Sequence, residues 1–183
     1  NSRIQLVDLE IDGNRANNTL GQRWELAPLI DLRAAKSIVE GLYVYDAPTD
    51  AVYFAALGSS MNSVWVDRAN AMSIHIGAAS TTGAQQSTLS RLWLDSPGLG
   101  GAIIGHYGGI SNSFPAYPAL GFSRLTDHLL IDNVQITNSV GTTSTIGQAI
   151  GCLTGSDNYA IDFSNLHISG FNKGRGAIHI SAT

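Results

Sequence analysis

A six-residue pattern that recurs along the chain limits the folds that this sequence can adopt. With h for an apolar residue and x for any residue, the pattern is h-x-x-h-x-h. It occurs six times, as LVDLEI (6–11), VEGLYV (39–44), MNSVWV (61–66), LSRLWL (89–94), IDNVQI (131–136) and FSNLHI (163–168). Alternation of apolar and other residues is typical of a strand with one buried face. The second x of each unit breaks this alternation, and the break predicts a corner in the chain.

The residue types at these breaks support that interpretation. The residues are Asp8, Gly41, Ser63, Arg91, Asn133 and Asn165. Aspartate, asparagine and glycine occupy four of the six places, and these types tolerate left-handed or bent backbone conformations. Each unit is therefore expected to form the end of one strand, a sharp corner and the start of another strand.

A further short strand is expected after five of the units. These strands are VYF (52–54), IHI (74–76), IIG (103–105), IGC (150–152) and IHI (178–180). The shortest step between units, from Val44 to Val66, leaves room for three short strands and their corners. The pattern thus predicts a solenoid of stacked parallel strands, with corner insertions near 13–28 and 105–124 in the longer steps. A β-sandwich is the alternative, since its strands also alternate, but it gives no reason for a repeated corner spacing.

Composition and charge narrow the class of protein. Only 13% of the residues are charged and 20 are glycine, which suits strands and turns better than helices. The net charge of −4, without a basic cluster, argues against nucleic acid as a partner. No apolar run has the length of a membrane span, so no membrane insertion is expected. The sequence contains no phosphate-binding, dinucleotide-binding or zinc-binding motif, and no cofactor or metal site is predicted.

Three further features carry smaller expectations. The single cysteine, Cys152, lies in the apolar segment AIGCL and is interpreted as a small core residue. His75 and His179, which occupy matching places in two IHI segments, are interpreted as surface residues. Because the chain begins at Asn1 and ends in the strand-like AIHISAT, residues 1–183 are expected to be one domain within a longer polypeptide.

Strict alternation after each corner places two columns of side chains on the outer surface. The first column is Glu10, Tyr43, Trp65, Trp93, Gln135 and His167. The second column is Asp12, Tyr45, Asp67, Asp95, Thr137 and Ser169. Since stacked strands lie about 4.8 Å apart, Tyr43, Trp65 and Trp93 are expected to form one aromatic strip, with Asp67 and Asp95 beside it.

The corner spacing, together with LEIDGN (9–14) and NLHISG (165–170), resembles that of the pectate-lyase-like superfamily. Within that superfamily the chain most resembles the β-helices of bacteriophage tailspikes and neck appendages. The resemblance implies an all-β, right-handed single-stranded parallel β-helix of about six to seven turns. It also implies a homotrimer on the virion tail or elsewhere outside the cell, in contact with other virion components and with a cell-surface polysaccharide. Endoglycosidase or lyase activity accompanies this fold in many such proteins.

Candidate binding and catalytic residues follow from the two columns. Aromatic rings pack on the apolar faces of sugars and carboxylates accept hydrogen bonds from hydroxyls, so the columns suit a polysaccharide. The candidate substrate-binding residues are Glu10, Asp12, Tyr43, Tyr45, Trp65, Trp93 and, from the long insertion, Tyr107. Asp67 and Asp95 are the candidate catalytic pair, because carboxyls one turn apart approach the roughly 5–5.5 Å of a retaining glycosidase. Turn capping or sugar binding by the two acids is the alternative.

Three functions remain open at this point. The first is a tailspike-like receptor-binding protein that binds a host cell-surface polysaccharide, with its depolymerisation left open. The second is a secreted bacterial polysaccharide lyase, hydrolase or epimerase; SVWVDRA (63–69) resembles the WxDH segment of pectate lyases, with Arg68 in place of the histidine. The third is a structural shaft in which the aromatic strip is a seam between subunits. In the long insertion, Tyr107, Phe114, Tyr117 and Phe122 are expected to wall a sugar groove or a subunit contact.

Overall fold

A computed structural model describes residues 3–17, 28–77, 84–97, 118–122, 128–139, 148–152, 160–171 and 177–179. The strands are β1 (Gln5–Asp12), β2 (Ile30–Leu32), β3 (Ile38–Tyr45), β4 (Val52–Phe54), β5 (Ser60–Asp67), β6 (Ile74–Ile76), β7 (Thr88–Asp95), β8 (Pro118–Phe122), β9 (Leu129–Thr137), β10 (Gln148–Cys152), β11 (Ile161–Ile168) and β12 (Ile178–His179). These ranges contain no helix, and therefore no helix that could cross a membrane. The predictions for Tyr107, Phe114 and Tyr117, and for the side chains of Cys152 and His179, lie outside what the structure describes.

The strands form two parallel sheets of six strands each. The first sheet has the order β1-β3-β5-β7-β9-β11, and the second has the order β2-β4-β6-β8-β10-β12. The chain therefore alternates between the sheets, and strands that lie two elements apart in the sequence pair with each other. The predicted all-β class with stacked parallel strands is confirmed.

The predicted corners are left-handed residues inside the long strands of the first sheet. All six have φ between 51° and 64°: Asp8, Gly41, Ser63, Arg91, Asn133 and Asn165. Strand pairing skips them, as where Val7 pairs with Glu40 and Leu9 with Leu42. Each repeat unit is thus one strand bent at a left-handed residue, rather than two separate strands.

Alternation directs the apolar residues of both sheets into one core. Leu42 and Val44 from the first sheet and Val52 and Phe54 from the second are each at most 1% exposed and belong to one buried cluster. Because a fully buried side chain of this size contributes about 1.5–3 kcal/mol, the repeated inward positions supply the main stabilisation. The outward positions are free to carry other chemistry.

The second sheet differs from the expectation at one turn. The strand between β6 and β10 is Pro118–Phe122, whereas the sequence pattern had placed 103–105 there; residues 103–105 are outside the described ranges. Phe122 is fully buried and packs edge-to-face on Phe163 with ring centroids 6.0 Å apart, so both expectations for it, the wall of a groove and a subunit contact, are wrong. The short strand β2 was not predicted at all.

His75 is also placed differently from the expectation. It is only 2% exposed, its Nδ1 lies 3.4 Å from Oδ2 of the buried Asp50, and its ring packs edge-to-face on Tyr53 at 4.8 Å. Alternation gives the side of the sheet that a residue faces, but it does not reveal what packs over that side. The prediction of a surface histidine was wrong for this reason.

Candidate functional site

The register of the first sheet aligns the two predicted columns. Each residue of the first column pairs with the next across adjacent strands, in the order Glu10, Tyr43, Trp65, Trp93, Gln135 and His167. The second column is aligned in the same way, in the order Asp12, Tyr45, Asp67, Asp95 and Thr137. The register therefore brings Trp65, Trp93, Asp67 and Asp95 together on one outer face.

The aromatic strip is built around a stacked tryptophan pair. The rings of Trp65 and Trp93 lie 4.1 Å apart between centroids and are parallel to within 8°. Trp65 is 43% exposed and Tyr43 is 38% exposed, and the Tyr43 ring lies against that of Tyr45 at 5.2 Å. Since each indole covers one face of the other, only the opposite face and the edges of each ring are left for the expected contact with a sugar.

Asp67 and Asp95 lie beside the aromatic strip, at the ends of their strands. They pair in register as the last residues of β5 and β7, and both are half-buried. A shallow cavity of about 160 Å³ lies here, and its lining includes Tyr43, Trp65, Asp67, Trp93, Asp95, Gln135 and Thr137. Aromatic groups and carboxylates thus meet at one concave place.

Asp95 is held in its charged form by a set of hydrogen-bond donors. Its Oδ1 accepts hydrogen bonds from Thr137 Oγ1 at 2.7 Å and from the Ser139 amide at 2.9 Å, while the Ser139 hydroxyl donates to its Oδ2. Burial by itself raises the pKa of this carboxyl, but the bonds from Ser139 and Thr137 outweigh burial and lower it. A carboxylate held in this way remains ionised and well oriented.

The surroundings of Asp67 act in the opposite direction. Burial raises the pKa of Asp67, and the negative charges of Asp95 and Asp46 add to the increase. Arg68, whose Nη1 lies 2.5 Å from Asp67 Oδ2, opposes this increase without cancelling it. The two neighbouring aspartates therefore differ in proton affinity because only one of them receives several hydrogen bonds.

Arg68 connects Asp67 to a second carboxylate, that of Asp46, which directly follows strand β3. Its Nε and Nη2 donate to the two carboxylate oxygens of Asp46 at 2.9 and 3.3 Å, and Arg15 Nη2 lies 3.6 Å from the same carboxylate. The hydrogen bond from Arg68 lowers the pKa of Asp46. In the WxDH comparison Arg68 takes the place of the histidine, and here it supplies a cation directly to Asp67.

The remaining candidate residues lie farther along the columns. Glu10, Asp12 and Tyr45 are in register with the strip but are not among the residues that line the cavity. Asp12 accepts a hydrogen bond from the Asn14 amide at 2.7 Å, which is a turn-capping contact. Sequence reasoning missed the contributions of Asp46 and Ser139, and the only available signal was that each lies within two residues of a predicted column.

Metal binding finds no support in this part of the molecule. Within the described ranges, no group of three or more histidine, cysteine, aspartate or glutamate side chains could hold a metal ion.

Comparison with protein-family models, with curated proteins and with solved structures finds no match to this chain.

Proposed function

We propose that this chain is a right-handed single-stranded parallel β-helix that binds a host cell-surface polysaccharide on the outer face of its first sheet, as a tailspike-like receptor-binding protein. The observation that carries the proposal is the in-register placement of Trp65 and Trp93 beside Asp67 and Asp95 on a partly exposed face. In this proposal the chain acts as a homotrimer on the virion tail, together with other virion components.

The fold supports a long polymer as the ligand. The chain passes alternately through two parallel sheets, so a coiled arrangement repeats the same outer positions at every turn, about 4.8 Å apart. A row of outward side chains at one regular spacing can contact several successive units of a polymer. Partly exposed aromatic groups such as Trp65 and Tyr43 mark a surface that a partner covers.

The chemistry of the cavity supports sugars over a purely apolar partner. Asp67 and Asp95 accept hydrogen bonds, as hydroxyl-rich ligands require, while the rings of Trp65 and Trp93 that line the same cavity supply apolar contact. A purely apolar seam between shaft subunits would take water from these two carboxylates without adding a donor to the contacts that they already have with Arg68, Thr137 and Ser139, and such burial is unfavourable.

A second candidate function is hydrolysis of the bound polysaccharide, and the opposed proton affinities of the acid pair favour it. The raised pKa of Asp67 suits a general acid that protonates the leaving oxygen. The lowered pKa of Asp95 suits a nucleophile or a general base. Neighbouring acids with separated proton affinities are the usual means by which one site performs both roles.

The test is to incubate the purified chain, with its natural flanking segments, with a panel of bacterial surface polysaccharides. Chain length is followed by size-exclusion chromatography and the oligomeric state by light scattering. The proposed function is supported if the wild type binds a glycan and the Trp65→Ala and Trp93→Ala variants lose this binding while the oligomer stays intact. Shortening of the polysaccharide chains would support hydrolysis as well. Dissociation of the oligomer in these variants, without glycan binding by the wild type, would instead identify the strip as a subunit seam.

A further inference from the structure

A second concave site lies at the opposite ends of the same strands. Ser60 and Thr88 begin the strands that Asp67 and Asp95 end. The cleft at this end has a volume of about 570 Å³, compared with about 160 Å³ beside the acid pair. Its lining includes Arg3, Lys36, Gly58, Ser60, Gln86 and Thr88.

The two cations of this cleft differ from the other described cations. The others each lie 3.6 Å or less from a carboxylate: Arg15, Arg33, Arg68 and Arg91. Arg3 and Lys36 form no ion pair with any described residue, and no described carboxylate lines the cleft. In a chain of net charge −4, two such cations in one concavity create a local positive potential that favours an anion.

Ser37 and Ser59, which line the cleft, belong to a buried ladder of hydrogen-bonded serines that continues to Ser87. Ser59 Oγ accepts a hydrogen bond from the Ser37 amide at 2.9 Å, and Ser87 Oγ accepts one from the Ser59 amide at 3.0 Å. Ser87 Oγ in turn donates to the Ala56 carbonyl at 2.8 Å. Because these hydroxyls already bond to the backbone, a ligand would bond instead to the other polar side chains that line the cleft.

The rim has an open gap at Gly58. Lys36, Gly58 and Gln86 are left-handed, with φ of 58°, 59° and 52°, and backbone hydrogen bonds of 2.8 Å hold the corners of these three residues in successive turns. A Cβ added at Gly58 would meet no atom within 4 Å. The absence of a side chain at Gly58 thus leaves space between the Lys36 cation and the Gln86 side-chain amide.

We propose that this cleft binds the acid group of an acidic sugar, so that the polysaccharide recognised by the protein is a polyanion. This inference rests on the proposed function. Lys36 and Arg3 pair with the carboxylate or sulfate group, while Ser60, Thr88 and Gln86 hydrogen-bond to the sugar hydroxyls. Hydrogen bonds between charged groups are about twice as strong as neutral ones, so neutral sugars bind this cleft less well.

The test compares two oligosaccharide series of equal length by isothermal titration calorimetry with the full chain. One series contains glucuronic acid and the other is neutral and glucose-based. Lys36→Gln is expected to weaken binding of the acidic series about ten-fold and to leave the neutral series unchanged. Arg33→Gln is the matched control, because it removes the same charge from a cation that pairs with Asp31 outside the cleft; its effect is expected to stay below about two-fold.

A second variant separates the effect of the Lys36 charge from the effect of the open space at Gly58. Gly58→Asn keeps both cations, suits the left-handed conformation and fills the gap, so it is expected to weaken the acidic series by a similar factor. Equal affinity of Lys36→Gln and the wild type for the acidic series would overturn the inference, as would an equal loss in both series. If neither series binds, glucuronate and sulfate are titrated alone. Binding of these anions by the wild type but not by Lys36→Gln would support an anion-binding cleft and reject a polysaccharide as its ligand. If the wild type does not bind them either, both the cleft and the polysaccharide are rejected.

Discussion

Asp67 and Asp95 occupy equivalent positions on adjacent parallel strands, yet their surroundings shift their proton affinities in opposite directions. Ser139 and Thr137 donate hydrogen bonds to Asp95, whereas burial and the neighbouring carboxylates of Asp95 and Asp46 act on Asp67. The asymmetry comes from the neighbouring strand β9, where Thr137 is the last residue and Ser139 follows it, because both residues donate hydrogen bonds to Asp95. Predictions about acidity and stability follow from this difference.

The first prediction concerns the pH dependence of polysaccharide cleavage. If Asp67 is the general acid and Asp95 the ionised partner, the rate is expected to be bell-shaped in pH. The rate falls as pH rises through the raised pKa of Asp67, and it falls as pH drops through the lowered pKa of Asp95. The two limbs therefore lie on either side of the usual aspartate pKa of about 3.9. Reducing-end release measured from pH 2 to 8 checks this profile.

Substitution then assigns each limb. Asp67→Asn is expected to remove the alkaline limb and to lower the rate at least about a hundred-fold, as expected when a general acid is lost. Asp95→Asn is expected to remove the acid limb with a loss of similar size. Asp162→Asn, at an exposed position on β11, is the control. A profile that neither variant alters would contradict the assignment of both acids.

The second prediction concerns stability. Because the folded-state pKa of Asp95 is lowered, its ionised form stabilises the native state above the unfolded pKa, and this contribution is lost as pH falls through the folded pKa. Asp95→Asn is expected to cost about 1–2 kcal/mol at pH 7, in the lower part of the range for bonds to charged groups, since the carboxylate is partly exposed. Urea unfolding at pH 7 and at pH 2.5 checks the prediction. A difference from wild type that persists undiminished at pH 2.5 would contradict this origin.

The outer columns could be predicted from the sequence because they depend on one local rule. Alternation after each bend fixes which residues face outward, and in-register pairing aligns Tyr43, Trp65 and Trp93. The bends could be predicted for the same reason, since the spacing repeats. Even Ser63 and Arg91, whose types do not favour a left-handed conformation, adopt it, because the neighbouring strands impose the bend at that level.

The contacts beyond the sheet surface could not be predicted in this way. Asp46 reaches Arg68 across a turn, and Ser139 reaches Asp95 from a segment after its strand ends. Neither contact follows from a period in the sequence. Phe122 and His75 were misplaced for a related reason: their burial depends on which segment packs beside them, and alternation carries no information about that packing.

The third prediction concerns the left-handed bend at Ser63. Its φ is 54°, and this conformation costs a residue with a Cβ roughly 1–2 kcal/mol. Ser63→Gly relieves that strain, and after the entropy that glycine adds to the unfolded chain a net gain of about 0.5 kcal/mol is expected. Ser63→Val is expected to lose more than about 1 kcal/mol, because a branched side chain tolerates this conformation poorly.

The control for this prediction is a glycine at an extended position. Gln5→Gly on β1 is expected to destabilise the protein by about 0.5–1 kcal/mol. The sign of the change thus differs between positions 63 and 5, and chemical denaturation measures both. A loss of stability in Ser63→Gly equal to that in Gln5→Gly would show that the bend carries no strain.

The last prediction concerns Gly13 in the LEIDGN segment. A Cβ added there would lie 2.4 Å from the Asp46 carbonyl oxygen and 2.7 Å from Ala47 Cα, so backbone atoms of the next turn would have to move. Overpacking of this kind costs about 1–3 kcal/mol, and Gly13→Ala is expected to lower the free energy of unfolding by that amount. Because Asp46 holds Arg68 beside Asp67, the same shift is expected to weaken polysaccharide binding. Chemical denaturation and calorimetric titration measure the two effects, and a variant as stable as wild type would show that Gly13 does not hold these turns together.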